Sequence, residues 1–99
     1  MKEFKLIREW AEARNLIKGS NSKAQMCKLS EELGELAKGI NKGNLEDIVD
    51  GIGDAIVVLT IIAEQNDVLV EDCVKQAYNE IKDRKGKMID GVFVKEQDL

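Results

Sequence analysis

The sequence predicts an all-α fold, a four-helix antiparallel bundle-like domain that ends in a short extended C-terminal arm. Three observations predict it. The 99 residues contain no proline and only four aromatic residues, Phe4, Trp10, Tyr78 and Phe93. Apolar residues recur at intervals of three and four, the spacing of a helix that buries one face. Polar breaks at residues 19–22, 41–44 and 65–67 divide the chain into four helical lengths. One domain accounts for this length, at a size where self-association often supplements a modest core.

Residues 2–14 form the first predicted helix, with Phe4, Ile7, Trp10 and Ala11 on one face. The loop at 19–22 offers Asn21 or Ser22 as the cap of the second helix. That helix runs from about residue 23 to 40, with Met26, Leu29, Leu33, Leu36 and Ile40 as a packing seam. Gly39 and residues 41–44 end it. Asn44 caps the third helix, and Glu46 and Asp47 stand in its first turn, where the macrodipole favours acids. The third helix continues to about residue 64. It is apolar nearly all round, so it is expected to be the central, most buried element. Residues 65–67 break the chain, and a fourth helix extends to about Arg84, burying Val70, Cys73, Val74, Ala77, Tyr78 and Ile81. In the tail, Asp90-Gly91 is turn chemistry between short apolar pairs, which suits an extended arm or hairpin.

Nineteen acidic residues against fifteen basic give a net charge of −4. That argues against a nonspecific nucleic-acid surface and against an anionic membrane partner. It leaves room for a nucleotide presented together with a metal. The absence of histidine excludes histidine bases, histidine metal ligands and every triad built on one. Cys27 and Cys73 stand far apart without CxxC spacing, and both are expected as small buried residues in a reducing cytoplasm. The N-terminal segment is mixed in charge, unlike a signal peptide. The longest apolar run is interrupted by Asp54 and too short to span a bilayer. A soluble cytoplasmic protein is the expectation.

Two acidic stripes carry the chemistry. Asp47, Asp50 and Asp54 fall at i, i+3 and i+7, and no Lys or Arg occurs from Asp47 through Ala63. Asp54, between Gly53 and the apolar residues 55–59, is expected to be desolvated, and a desolvated carboxylate must be paired, protonated or bound to a cation. Glu31, Glu32 and Glu35 form the second stripe, beside the seam of the second helix. If the second and third helices pair antiparallel, Glu32 and Glu35 lie at a depth similar to Asp50 and Asp54. Converging carboxylates of this kind suit Mg²⁺ or Mn²⁺. The plainer alternatives are a solvated face for the glutamates, and an ion pair of Asp54 with Lys28, Lys38 or an arginine of the fourth helix. Gly51 and Gly53 imply close helix approach or room for a ligand. Lys82, Arg84, Lys85 and Lys87, with Asn79 a turn earlier, suit a helix C-terminus and equally the phosphates of a metal-bound substrate.

The segment Lys28-Leu29-Ser30-Glu31-Glu32-Leu33-Gly34-Glu35-Leu36, followed by Asp50-Gly51-Ile52-Gly53-Asp54 and the apolar residues 55–59, resembles the MazG-like nucleotide pyrophosphohydrolases. These belong to the all-α NTP pyrophosphatase group, whose signature is EExxE and then ExxD. The resemblance covers nearly the whole chain, from Trp10 through Asn79-x-x-Lys82-x-Arg84. The compact size and the Gly91-x-Phe93-x-Lys95 tail look like the short, phage-type members.

The resemblance implies Mg²⁺-dependent hydrolysis of nucleoside and deoxynucleoside triphosphates at the α–β bond, by a homodimer or homotetramer. It makes Glu32 and Glu35 metal ligands and Asp54 the ligand that closes ExxD. Glu31 becomes a further catalytic carboxylate that orients the attacking water. Where the family usually carries Glu, this chain has Gly51. Asp50 takes that role in this reading, with Asp47 as the alternative. Lys28, Asn79, Lys82, Arg84 and Lys87 are the expected phosphate contacts, and Trp10 and Asn15 the expected contacts of base and sugar. Two other functions stand beside this one: a non-catalytic helical dimerisation or regulatory module, and phosphoribosyl-ATP pyrophosphatase-type activity on the same fold.

Overall fold

A computed structural model describes residues 1–99. Its elements are α1 (Glu3–Ala13), α2 (Ser22–Lys42), α3 (Leu45–Gln65), α4 (Val70–Ile81), β1 (Gly86–Ile89) and β2 (Val92–Lys95), with a last 3₁₀ turn at Glu96–Asp98. Local chemistry sets these boundaries. The Asn21 side chain accepts a hydrogen bond from the Ala24 amide at 2.8 Å, and Asn44 accepts one from the Asp47 amide at 3.2 Å. Each satisfies an amide that the first helical turn leaves free. Gly43, left-handed at φ 67°, closes α2.

Only Gly43 and Asn44 separate α2 from α3, so the two 21-residue helices fold back on each other. Gly39 lies against Asp47 and Ile48, Gly51 against Leu36, and Ser22 bonds Gln65 at the far end. The pair is therefore antiparallel along its full length. Leu29, Ala55 and Val58 form its buried cluster, with Ile62 packed alongside. Helix α3 carries six of the eleven buried positions, in line with its expected central place.

α1 lies on α3 and contributes the fully buried Ala11. Two polar connections fasten this layer. The Arg8 guanidinium donates to both Glu71 oxygens, at 2.7 and 2.9 Å, joining α1 to α4. Gln65 donates to the carbonyls of Leu16 and Ile17 at 3.1 and 3.3 Å, which holds the α1–α2 connection against the end of α3. The tail is a two-stranded antiparallel hairpin pairing Gly86 with Lys95 and Ile89 with Val92. Asp90 (φ 50°) and Gly91 (φ 82°) both adopt the left-handed conformation, the requirement of a tight hairpin turn.

Several expectations about burial are corrected. α4 ends at Ile81 rather than Arg84, and none of its residues is buried. Cys73, Val74, Ala77, Tyr78 and Ile81 of its apolar stripe are exposed. Cys27 and Cys73 are exposed free thiols, not core residues. On α2 only Leu29 of the seam is buried, while Met26, Leu33 and Ile40 face solvent. Asp54 is exposed. The common cause is geometric: α3 is apolar around its circumference, and one α2 with a short α1 and a loosely packed α4 covers only part of it. The radius of gyration, 16.2 Å, exceeds the roughly 13 Å of a compact domain of this length.

Candidate metal and nucleotide site

The antiparallel register brings the α3 stripe and one member of the α2 stripe, Glu35, to one groove, while Glu31, Glu32 and Lys28 do not line it. Glu35 of α2 and Asp47, Asp50 and Asp54 of α3 line a single open cavity of ≈ 310 Å³, with Lys38, Lys42 and Gly51 completing its wall. Gly51 is what lets the helices close here. A Cβ at that position would meet the Leu36 side chain and backbone, so position 51 has no room for a side chain and the acids on either side of it reach the groove instead. No such contact surrounds Gly53, where a Cβ would meet nothing within 4 Å.

Glu32 is different in kind from its neighbours. It is 7% exposed, and its Oε2 is buried without any hydrogen-bond partner. Its Oε1 stands 3.2 Å from Lys28 Nζ. The same ammonium is 3.9 Å from an oxygen of Glu31, which is itself exposed. Hydrogen bonding to Glu32 first, then the attraction of Glu32, Glu31 and Glu35, holds the Lys28 ammonium above the usual lysine range. Lys28 thus pairs with Glu32 and not with Asp54.

A second hollow, of ≈ 550 Å³, adjoins the first through Asp54. Its other walls are Trp10, Leu6, Ile7, Val57 and Glu3. Trp10 is 46% exposed, and the Arg14 guanidinium stands 4.6 Å from the centre of its ring. Asp54 therefore borders a charged hollow on one side and an apolar, aromatic one on the other. Asn15 lies elsewhere, in a polar hollow with Glu12, Lys18, Glu64 and Asp67. Asn79, Lys82, Arg84 and Lys87 are exposed on α4 and the residues after it, and none lines the acidic cavity.

Sequence reasoning missed three features of this region: the cavity-wall cation Lys42, the apolar hollow beside Asp54, and the Lys28–Glu32 pair. The i, i+4 spacing of Lys28 and Glu32 was the available signal for the last.

Residues 20–89 match the family model of the MazG nucleotide pyrophosphohydrolase domain. The chain belongs to the MazG nucleotide pyrophosphohydrolase family. It is 46% identical over 65 residues to the "Uncharacterized 18.2 kDa protein in rep-hol intergenic region" of Haemophilus phage HP1 (strain HP1c1). The alignment takes in 66% of this chain and 40% of that relative, so the chain spans less than half the relative's length. No solved structure matches it. The MazG match begins just before α2 and ends with β1. It therefore contains every acid of the groove and leaves Trp10 and Asn15 outside.

MazG enzymes are generally dependent on a divalent metal ion. The acidic groove fits such an ion in donor type: carboxylate oxygens, the preferred ligands of hard cations. The unpartnered buried Oε2 of Glu32 is the further sign, because a lone buried carboxylate oxygen is costly unless something pairs with it. As the side chains stand, no three acids converge closely enough to hold an ion, so binding one requires rotamer changes in side chains that already border one groove.

Proposed function

We propose that this MazG family member hydrolyses nucleoside and deoxynucleoside triphosphates at the α–β bond, releasing a nucleoside monophosphate and pyrophosphate with Mg²⁺ as cofactor and Mn²⁺ as a substitute. The observation that carries the reading is the groove that Glu35, Asp47, Asp50 and Asp54 line together, with the half-satisfied Glu32 one helical turn from Glu35 on α2.

In this reading Glu32, Glu35, Asp50 and Asp54 hold the metal. When bound, the ion neutralises the triphosphate charge that an acidic protein would repel and makes a coordinated water a better nucleophile. Glu31 orients the attacking water and accepts its proton, since the chain has no histidine to do so. Attack at the α-phosphorus forms the new P–O bond as the α–β bridging bond breaks, and pyrophosphate leaves with the electron pair. Lys28 meets the phosphates from within the same chain. Asn79, Lys82, Arg84 and Lys87 lie off the cavity, so in this reading they act on the groove of a neighbouring copy. The base and part of the sugar occupy the Trp10 hollow, with Asp54 at its junction with the phosphates.

Assembly as a homodimer or homotetramer belongs to the same reading. Its support is the burial of only eleven residues in the isolated chain, a small core for 99 residues. Tyr78, Val74 and Ile81 of α4 supply the uncovered apolar stripe.

The test is pyrophosphate release from the eight common NTPs and dNTPs with Mg²⁺. Glu35→Gln and Asp54→Asn are expected to abolish it while leaving helicity intact by circular dichroism. Full activity in either variant refutes the assignment.

A further inference from the structure

We propose that Lys28 is a built-in stand-in for the metal ion: its ammonium neutralises the buried Glu32 carboxylate in the metal-free protein and must leave before a divalent cation can take that carboxylate. The inference rests on the metal-binding reading above and adds a residue to it.

The geometry is unsymmetrical in the way a temporary occupant requires. Glu32 is a fixed, desolvated acceptor, with a side chain only 9% exposed, while the Lys28 side chain is 56% exposed. The carboxylate is shielded from water where it stands. The ammonium, on four flexible methylenes, can withdraw into solvent at little cost. The pairing is also incomplete, since Lys28 reaches Oε1 at 3.2 Å and leaves Oε2 without a partner. One positive charge therefore covers half of what the buried group can accept. A doubly charged ion that also draws on Glu35, Asp50 and Asp54 has more to offer the same carboxylate than a single ammonium does. A monovalent ion has not. The lysine thereby sets a threshold that favours divalent cations and holds the Glu32 side chain in position until one arrives. In its paired position the ammonium also stands 3.9 Å from Glu31, and once displaced from Glu32 it is free to meet the phosphates of a triphosphate.

The experiment uses the full chain at one fixed pH, with Mn²⁺ alone as the probe. Mn²⁺ affinity is read by titration calorimetry, and metal-free stability by thermal unfolding. Lys28→Met keeps the apolar stem and removes the charge. It is expected to bind Mn²⁺ about three- to tenfold more tightly than wild type, because no ion pair has to be broken. Its metal-free Tm is expected to fall by about 2–6 °C, because Glu32 is left buried and unpaired. Lys28→Arg restores both values towards wild type. Lys38→Met removes a cavity-wall cation that pairs with no carboxylate, and is expected to leave the metal-free Tm unchanged with a smaller gain in affinity. The proposal is overturned if Lys28→Met binds Mn²⁺ no more tightly than Lys38→Met, or if its metal-free Tm equals that of wild type. Those results leave the metal reading standing. Absence of saturable Mn²⁺ binding in the wild-type protein removes both.

Discussion

Gly51 on α3 faces Leu36 on α2 so closely that a Cβ on the glycine would stand 2.9 Å from the Leu36 Cβ and 3.1 Å from its Cα. This contact sits between the two acidic stripes and sets the width of the groove that Glu35, Asp50 and Asp54 share. It also explains the departure from the ExxD pattern: a glutamate at 51 would have to occupy the space of the facing helix. Gly51→Ala is expected to destabilise the fold by about 1–2 kcal/mol, overpacking outweighing the gain in helix propensity. Gly53→Ala, two residues on with nothing within 4 Å, is expected to stabilise by up to about 1 kcal/mol. Urea denaturation of the two variants checks the pair, and equal effects would contradict the close-approach account.

The clamp between Arg8 and Glu71 makes a prediction about acid. The guanidinium, hydrogen-bonded to the carboxylate, holds the Glu71 carboxyl below the usual range, and its own backbone amide adds to the effect. A depressed carboxyl contributes stability that is fully present above its unfolded value, about 4.3, and is lost as pH falls below that through the lower folded value. Wild-type Tm is therefore expected to drop between about pH 4.3 and pH 3 more steeply than that of Glu71→Gln, and the two curves to run parallel above pH 5. Thermal scans across pH 3–7 are the measurement. Parallel curves throughout would mean that solvent screens the pair completely.

Association predicts a third result. Val74 and Tyr78 are 60% and 61% exposed on α4, next to an apolar hollow formed with Leu59, Ile62 and Ala63 of α3. A charge placed there costs little in an isolated chain and much in a covered interface. Val74→Glu is expected to shift the protein from dimer or tetramer to monomer in sedimentation velocity, and to lower Tm at equal protein concentration. A wild-type protein that sediments as a monomer would defeat this expectation directly.

What was legible in the sequence was local. The Asn44 cap, the choice of Asn21 or Ser22 as the cap of α2, the turn chemistry of Asp90-Gly91 and the i, i+3, i+7 aspartates are written within a few residues, and the chain realises them with Asn21 as the α2 cap. The end of α4 was overrun because Lys82, Arg84 and Lys85 are good helix formers, and no strong stop occurs before Gly86. Burial was harder to read. Amphipathic spacing says that a face needs cover, not that the same chain supplies it. That is why Cys27, Cys73, Leu33 and the α4 stripe were expected inside and lie outside. Conversely, Glu32 differs from Glu31 by one step of helical rotation, yet only Glu32 is buried. The Arg8–Glu71 and Gln65–Leu16 links join residues 63 and 49 apart, which no local pattern announces.

The last prediction separates the two hollows that meet at Asp54. Trp10 is the single tryptophan of the chain, so its fluorescence reports on the apolar hollow alone. Stacking of a nucleobase on an aromatic ring contributes about 1–3 kcal/mol, which corresponds to roughly a 5- to 150-fold change in binding. Trp10→Ala is therefore expected to raise KM for a triphosphate within that range while leaving Mn²⁺ affinity unchanged, because no acidic ligand of the metal reading is touched. Asn15→Ala, in its separate hollow, is expected to change KM less than twofold. In the wild-type protein, a non-hydrolysable triphosphate with Mg²⁺ should quench Trp10 fluorescence, and inorganic pyrophosphate with Mg²⁺ should not. A Trp10→Ala enzyme with wild-type KM, or equal quenching by both ligands, would move the base away from α1 and leave the acidic groove as the whole of the site.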